Sequence, residues 1–453
     1  MARKYMQLPS EESVAHKVED TTLEEVDHEK QAEIPESNAY NQIILIGFIC
    51  FACPGMFNVL NGMGGGGQVD QTVASNANAA LYTCFALFSF YFSSALNNFL
   101  GPRLCLLIGG STYALYAASL LNYNINSSDT LVVLAGGLLG LGAAMLWTSQ
   151  GSILLSYPTE EVKGEYIATF WIIFNLGGVL GGLIPFIANY NSDSGSVNNA
   201  TYIAFIVLML AGSIVALFLK PTSAIIKSDG TKVQFPKHNS VKAEIHNFWK
   251  AILDKRIIVL IPAFFTSNFF YGYQFNAVNG MLFNLRTRGL NNCLYWGAQM
   301  LGAYLFGTFV LDKHSWSFRK RGTVGLVVVA FVSTLSWALG LILQSSFSRN
   351  DSNHEIDYLS GKAAFPIIVY LLYGLLDAIY QNYIYWLLGT MSNDSGDLAR
   401  FVGVYKGFQS AGGAISWRMD AVGTSYLVQL IINWSLMTFS LPFIYYLVRN
   451  ISK

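Results

Sequence analysis

The sequence predicts an all-α polytopic membrane protein, and composition, apolar run length and the spread of charge carry that class. Of 453 residues, 53% are apolar and only 12% charged, against roughly 25% charged in a soluble domain. A surface with half the usual charge is one that mostly faces lipid. Runs near the roughly 20 apolar residues needed to cross a bilayer recur twelve times. The 27 bases and 27 acids cancel, which argues against electrostatic capture of nucleic acid. The expected partner is the lipid bilayer.

Residues 1–40 hold ten acids against four bases, and so read as an acidic, disordered tail. No cleavable signal peptide is visible, because this stretch is polar for forty residues before the first apolar run. The first six-helix bundle, 41–219, has apolar cores at 43–60, 79–100, 104–121, 131–155, 167–187 and 202–219. A basic linker, 220–256, follows with eight Lys/Arg against Asp229, Glu244 and Asp254. The second bundle, 257–448, has cores at 257–275, 294–311, 324–343, 365–388, 401–417 and 422–448, and residues 449–453 close the chain.

Short cytoplasmic loops collect Lys and Arg. With both termini and the linker inside, 21 of the 27 bases lie on the inner side, so that orientation is expected. Sequons at Asn126, Asn199 and Asn350 then fall in outer loops as candidate glycosylation sites, while Asn393 falls in an inner one.

The two sets of six carry an internal repeat. Span one ends on Phe57-Asn58-Val-Leu-Asn61-Gly62-Met63, and span seven on Phe275-Asn276-Ala-Val-Asn279-Gly280-Met281. Gly177-Gly178 of span five is echoed by Gly412-Gly413 of span eleven. Parallel six-helix halves related by an axis along the membrane normal are the plan of the major facilitator fold.

Several stretches resemble the uncoordinated-93 family, its fungal type in particular: Asn58 to Asp70, Leu146 to Gly151, Ser156 to Pro158, Lys163-Gly164 and Phe174 to Gly182. Asp377-Ala-x-Tyr380-Gln381, Tyr385-Trp386 and Lys406 to Gly412 extend the resemblance over nearly all the chain except tail and linker. It implies a major facilitator fold without implying transport, since animal relatives include a potassium-channel regulator and a trafficking chaperone of Toll-like receptors. The superfamily loop signature G-x-x-x-D-R-x-G-R is reduced here to Gly101-Pro102-Arg103, which lacks the acid and the second arginine.

Within the spans, Asp377 lies eleven residues from the end of its apolar core, roughly 16 Å deep. It reads either as part of a central cavity or as a structural lock, because a lone intramembrane charge costs about 3 kcal/mol or more. Counted from Phe401, Lys406 is only about 8 Å deep, so it reads as snorkelling toward Asp394 or Asp397 or as a membrane ion pair. The depth count favours independence of the two. Asn58, Asn61, Asn276 and Asn279 could hydrogen-bond a solute or one another. Gln150 and Gln381 are further solute-binding candidates beside Asn175, Gln274 and Gln409. Arg103, Lys406, Gly177, Gly178, Gly181 and Gly182 are structural or gating candidates, the glycines chiefly as sites of close helix approach. Pro54, Pro185, Pro262, Pro366 and Pro442 are expected to mark kinks.

No nucleophile, metal or cofactor motif stands out, and the six histidines fall in the tail or loops. Cys50 and Cys53 read as small apolar packers. The expectation is a non-enzymatic, transporter-like protein binding a small molecule or ion, with a membrane accessory or trafficking protein as the alternative.

Overall fold

The computed structural model describes residues 37–67, 70–159, 161–188, 190, 197–233, 241–313, 315–351, 355–392 and 394–450. Nearly all of the tail, together with His238, His314, His354 and Asn393, lies outside the described residues. Spans one to six are Ala39–Gly62, Gln71–Leu100, Pro102–Asn126, Asp129–Ser156, Lys163–Ala188 and Asn199–Phe218. Spans eight, nine, ten and twelve are Leu285–Leu311, Phe318–Gln344, Ala364–Gly389 and Tyr426–Asn450.

These ten are long and apolar enough to cross a bilayer, and two more segments complete the twelve. Span seven is interrupted, with an α-helix over Lys255–Thr266 and a π-helical stretch over Tyr273–Gly280. Span eleven, Ser395–Ala421, is continuous but polar. It carries Lys406, Gln409, Arg418 and Asp420.

Local chemistry sets the breaks and starts. Span one breaks at Cys53, whose φ of −92° and ψ of −82° leave the helix just before Pro54, because proline disfavours helical geometry in the residue before it. Pro366, by contrast, sits in the first turn of span ten, where a missing N–H costs nothing and no kink is required. Asp254, Asn284 and Asp394 accept backbone N–H bonds at the starts of spans seven, eight and eleven, at 2.8, 3.1 and 2.8 Å. The first helix begins at Ala39, inside the stretch read as tail.

The start of span one meets the linker: Ser37 Oγ donates to the Ile226 carbonyl at 3.1 Å and Asn38 Nδ2 to that of Ala224 at 3.0 Å. This end is called the linker face below, and the other the loop face. The linker helix, Val241–Ile252, is amphipathic. Its Phe248 is buried at Gly403 of span eleven, while Trp249 is exposed beside Tyr91.

Glycines let helices meet closely in matched pairs, one of each pair facing its own half and the other facing across. A Cβ at Gly177 would overlap the Phe51 carbonyl of span one, and one at Gly178 the Trp296 ring of span eight. A Cβ at Gly412 would overlap the Phe265 carbonyl of span seven, and one at Gly413 would crowd the Tyr82 ring of span two at 3.1 Å. Spans five and eight therefore pack across the halves as spans two and eleven do. Large apolar side chains such as Leu134, Val207, Phe331 and Phe439 point outward, as a lipid-facing surface requires.

Candidate functional site

Asp377 is fully buried, twelve residues from Gly389 and thirteen from Ala364 in span ten. Its Oδ2 accepts from Tyr271 Oη at 2.8 Å and Gln299 Nε2 at 2.7 Å, with Tyr295 Oη at 3.2 Å sharing its one proton between Oδ2 and Gln274 Oε1 at 2.8 Å; its Oδ1 accepts from Gln381 Nε2 at 2.6 Å. Three donors and a shared fourth supply to this carboxylate in the membrane what water would supply outside.

Lys406 departs from the depth count. The helix starts at Ser395, not at the first apolar residue Phe401, so Lys406 lies eleven residues in and about level with Asp377. Snorkelling toward Asp394 or Asp397 is excluded by the geometry: Asp394 caps the helix, Asp397 pairs with Arg400 at 2.8 Å, and Lys406 is 4% exposed. Its Nζ donates to Gln409 Oε1 at 2.8 Å and stands 4.6 Å from the centre of the Trp147 ring, 4.8 Å from Tyr405 and 5.3 Å from Tyr385. Gln409 Nε2 in turn shares its two protons among Gln381 Oε1 at 3.1 Å, Ser267 Oγ at 2.9 Å, Asn268 Oδ1 at 3.1 Å and Tyr405 Oη at 3.1 Å. The cation and the anion are thus joined by two amides, each turning its carbonyl toward the lysine and its NH2 toward the aspartate.

Beside this relay lies a central cavity of about 40 Å³, room for about three waters. Its N-terminal wall is aromatic, with Phe57, Phe85, Tyr113, Trp147, Trp171 and Phe174, and carries Asn58. Asn268, Tyr271, Gln381, Lys406 and Gln409 form the C-terminal wall. The break in span seven matters here, since it presents Asn268 and Tyr271. Of the solute-binding candidates, Asn58 and Gln381 line the cavity, whereas Asn61, Gln150, Asn276, Asn279 and Asp377 do not.

Asn276 and Asn279 bridge the halves at the loop face, while Asn61 accepts from Asn78 within its own half. Asn279 Nδ2 donates to the Gly62 carbonyl at 2.7 Å, and Asn276 Oδ1 accepts from Gly65 N at 2.9 Å. Asn276 Nδ2 donates to Asp420 Oδ2 at 2.6 Å, as Ser75 Oγ of span two does at 2.9 Å. Asp420 also pairs with Arg349, whose guanidinium lies 4.2 Å from the Tyr426 ring centre. The glycine run fits this contact: Gly64 has φ +81° and leaves no room for a Cβ beside Gly280. At the linker face, Lys163 Nζ of span five donates to the Gly389 carbonyl of span ten at 2.9 Å.

Sequence reasoning passed over Asp420, Tyr271, Tyr295 and Gln299. Asp420 lay three residues beyond the expected end of span eleven at Trp417, and an acid flanking that edge was the available signal. The tyrosines gave none, being aromatic residues in an aromatic-rich chain. Gln150 and Asn175 are buried with both ends of each amide unpaired among the described residues. Gly181 packs on Met56 and Val59, and Gly182 on Asn292 and Cys293. Arg103 lies in the first turn of span three on a groove with Tyr157 and Pro221. Asn126, Asn199 and Asn350 are exposed at the loop face.

Interrupted and continuous helices packed as two halves around a central cavity define a multi-pass membrane protein of the major facilitator fold, and solved structures agree. The chain is similar to the Escherichia coli proton:xylose symporter XylE in a partially occluded inward-open conformation, with TM-score 0.58, 12% identity and coverage of 90% of this chain and 95% of that one. Its similarity to the transporter FucP in the outward conformation gives TM-score 0.58, 13% identity and coverage of 90% and 98%. The chain belongs to the UNC-93 family: residues 66–441 match the family model described as ion channel regulatory protein UNC-93. Similar relatives include UNC93-like protein 1 of Arabidopsis thaliana, 48% identical with 90% of each chain covered. An UNC93-like protein of Schizosaccharomyces pombe is 42% identical, covering 89% of this chain and 81% of its own.

Proposed function

We propose that this protein is a membrane transporter that moves a small polar solute by alternating access, with the solute meeting Asn58, Gln381, Lys406 and Gln409 at the centre. The carrying observation is the buried Asp377–Gln381–Gln409–Lys406 relay at the wall of a cavity between the halves. Intramembrane charges are costly, and an apolar set of similar volume would hold a static scaffold as well or better. The likeness to sugar:proton symporters supports the reading at the level of fold. In it the termini and linker face the cytoplasm, and Asn126, Asn199 and Asn350 carry glycans on the other side; enzymatic deglycosylation should shift the mobility of wild type and not of the triple Asn→Gln variant.

Paired spin labels test the cycle without knowledge of the solute. One pair, at Thr72 and Val422, spans the loop face; the other, at Glu165 and Arg319, spans the linker face. Alternating access predicts two distance populations per pair, with opening at one face matched by closure at the other. A single narrow distance at both faces, unchanged by solutes, contradicts it.

A second reading is a non-transporting accessory protein that regulates a membrane partner such as a channel. It is favoured by the description of the family and by the reduced loop at Gly101-Pro102-Arg103. Stoichiometric capture of one partner from native membranes in mild detergent, together with single label distances, would decide for it.

A further inference from the structure

We infer that the solute of this centre is a small organic monoanion, a carboxylate or sulfonate on a compact apolar body; the inference rests on the transport reading and names its substrate class. Two opposite charges stand at the centre, and the cavity meets them unequally. Asp377 is absent from the cavity wall, and both its oxygens are taken by Tyr271, Tyr295, Gln299 and Gln381. Lys406 is the charged side chain of that wall among the described residues.

The donors of Lys406 are not saturated. An ammonium carries three N–H donors, and this one has a single hydrogen-bond acceptor, Gln409 Oε1 at 2.8 Å. Around Nζ also stand the faces of Trp147, Tyr405 and Tyr385, which attract a cation without accepting as an oxygen does. The relay fixes the direction of recognition. Both amides turn their NH2 groups toward Asp377, so the negative end of the pair is spent inside the protein and the positive end faces the cavity. A cationic solute would meet the ammonium head-on, and a neutral polyol, though it could bond the amides of the wall, would bring no charge to the one charged side chain there among the described residues. A carboxylate supplies the missing acceptors, and the aromatic wall takes its apolar remainder. The cavity of about 40 Å³ limits that remainder to a few carbon atoms in this conformation.

The probes are propionate and its neutral isostere propionamide, titrated into the full-length protein in detergent at pH 7.5 and constant ionic strength. Tryptophan fluorescence is the readout, because Trp147 and Trp171 line the cavity. Propionate should give a saturable change at a concentration at least tenfold below that of propionamide; Lys406→Arg should keep this preference and Lys406→Gln should lose it. Equal or tighter binding of propionamide, no saturable response to propionate, or an undiminished preference in Lys406→Gln would each overturn the inference. The comparison of the two probes on wild type decides the matter even if a variant fails to fold. Propionate binding with static label distances would sink the transport reading and leave the anion site standing, whereas alternating distances without propionate preference would do the reverse.

Discussion

Gly177 of span five lies against a carbonyl of span one, and Gly412 of span eleven lies against a carbonyl of span seven. Asn61 accepts from Asn78 of span two at 2.9 Å, and Asn279 accepts from Asn291 of span eight at 2.8 Å. In these backbone-close contacts each half repeats the other. At the cavity they part: the N-terminal half presents rings and one amide, and the C-terminal half presents a lysine, amides and a carboxylate held behind them. Close helix approach tolerates only small residues, so it keeps both copies alike. A cavity wall has no such steric demand, so its chemistry was free to diverge.

The largest effects should come from breaking the shared contacts. Gly177→Val and Gly412→Val each drive a side chain into a backbone carbonyl and should cost about 3 kcal/mol, read as comparable losses of thermal stability in detergent. Unequal losses would show that the two halves do not share the plan. The alanine variants sharpen this: Gly178→Ala meets the Trp296 ring much more closely than Gly413→Ala meets Tyr82, and should cost more, about 2 against about 1 kcal/mol.

The asparagine repeat separates the halves at the next level. Asn276→Ala leaves Gly65 N without its side-chain acceptor and removes one of the donors on Asp420, which keeps Ser75 and Arg349; it should destabilise by about 1–3 kcal/mol, whereas Asn58→Ala at the cavity should stay within about 0.5 kcal/mol. Equal melting temperatures for the two variants would remove the distinction between loop-face bridge and cavity wall.

The smallest effect lies at the linker face, where Asp254 caps span seven. Hydrogen bonds from Arg256 hold its carboxyl below the usual carboxylate range, against the opposing pull of partial burial. Its contribution is therefore complete above the ordinary aspartate value of about 4 and is lost as pH falls below it. Asp254→Ala should cost about 1 kcal/mol at pH 7, mostly through the cap because the ion pair is solvent-screened, and the deficit should shrink in acid. A deficit that grows in acid contradicts the assignment.

The fold was legible because lipid imposes its own grammar: apolar run length, basic loops and the F-N-x-[LV]-N-G-M repeat all report helices crossing a bilayer in two related sets. Asp377 was legible for the same reason, as an acid amid apolar residues. Lys406 was misplaced because helix and apolar core are different objects: the polar turn from Ser395 to Arg400 is already helical, capped by Asp394. The asparagine pairs were readable as hydrogen-bonding groups, but which of them meets the cavity depends on how the halves pack: Asn58 lines it, while Asn276 and Asn279 bond across to the other half. The partners of Asp377 come from spans seven, eight and ten, and no local pattern links residues so far apart.

The central claim is that the polar wall acts as one unit, with Asp377 and Lys406 coupled through two amides. A double-mutant cycle on thermal unfolding of the purified protein tests it, using Asp377→Asn, Lys406→Gln and the combination. Coupling predicts that each single variant strands the opposite charge and that the double variant loses less than the sum, by about 1–3 kcal/mol. Losses that add within about 0.5 kcal/mol would mean that the relay carries no energy between the two charges, and would contradict the account.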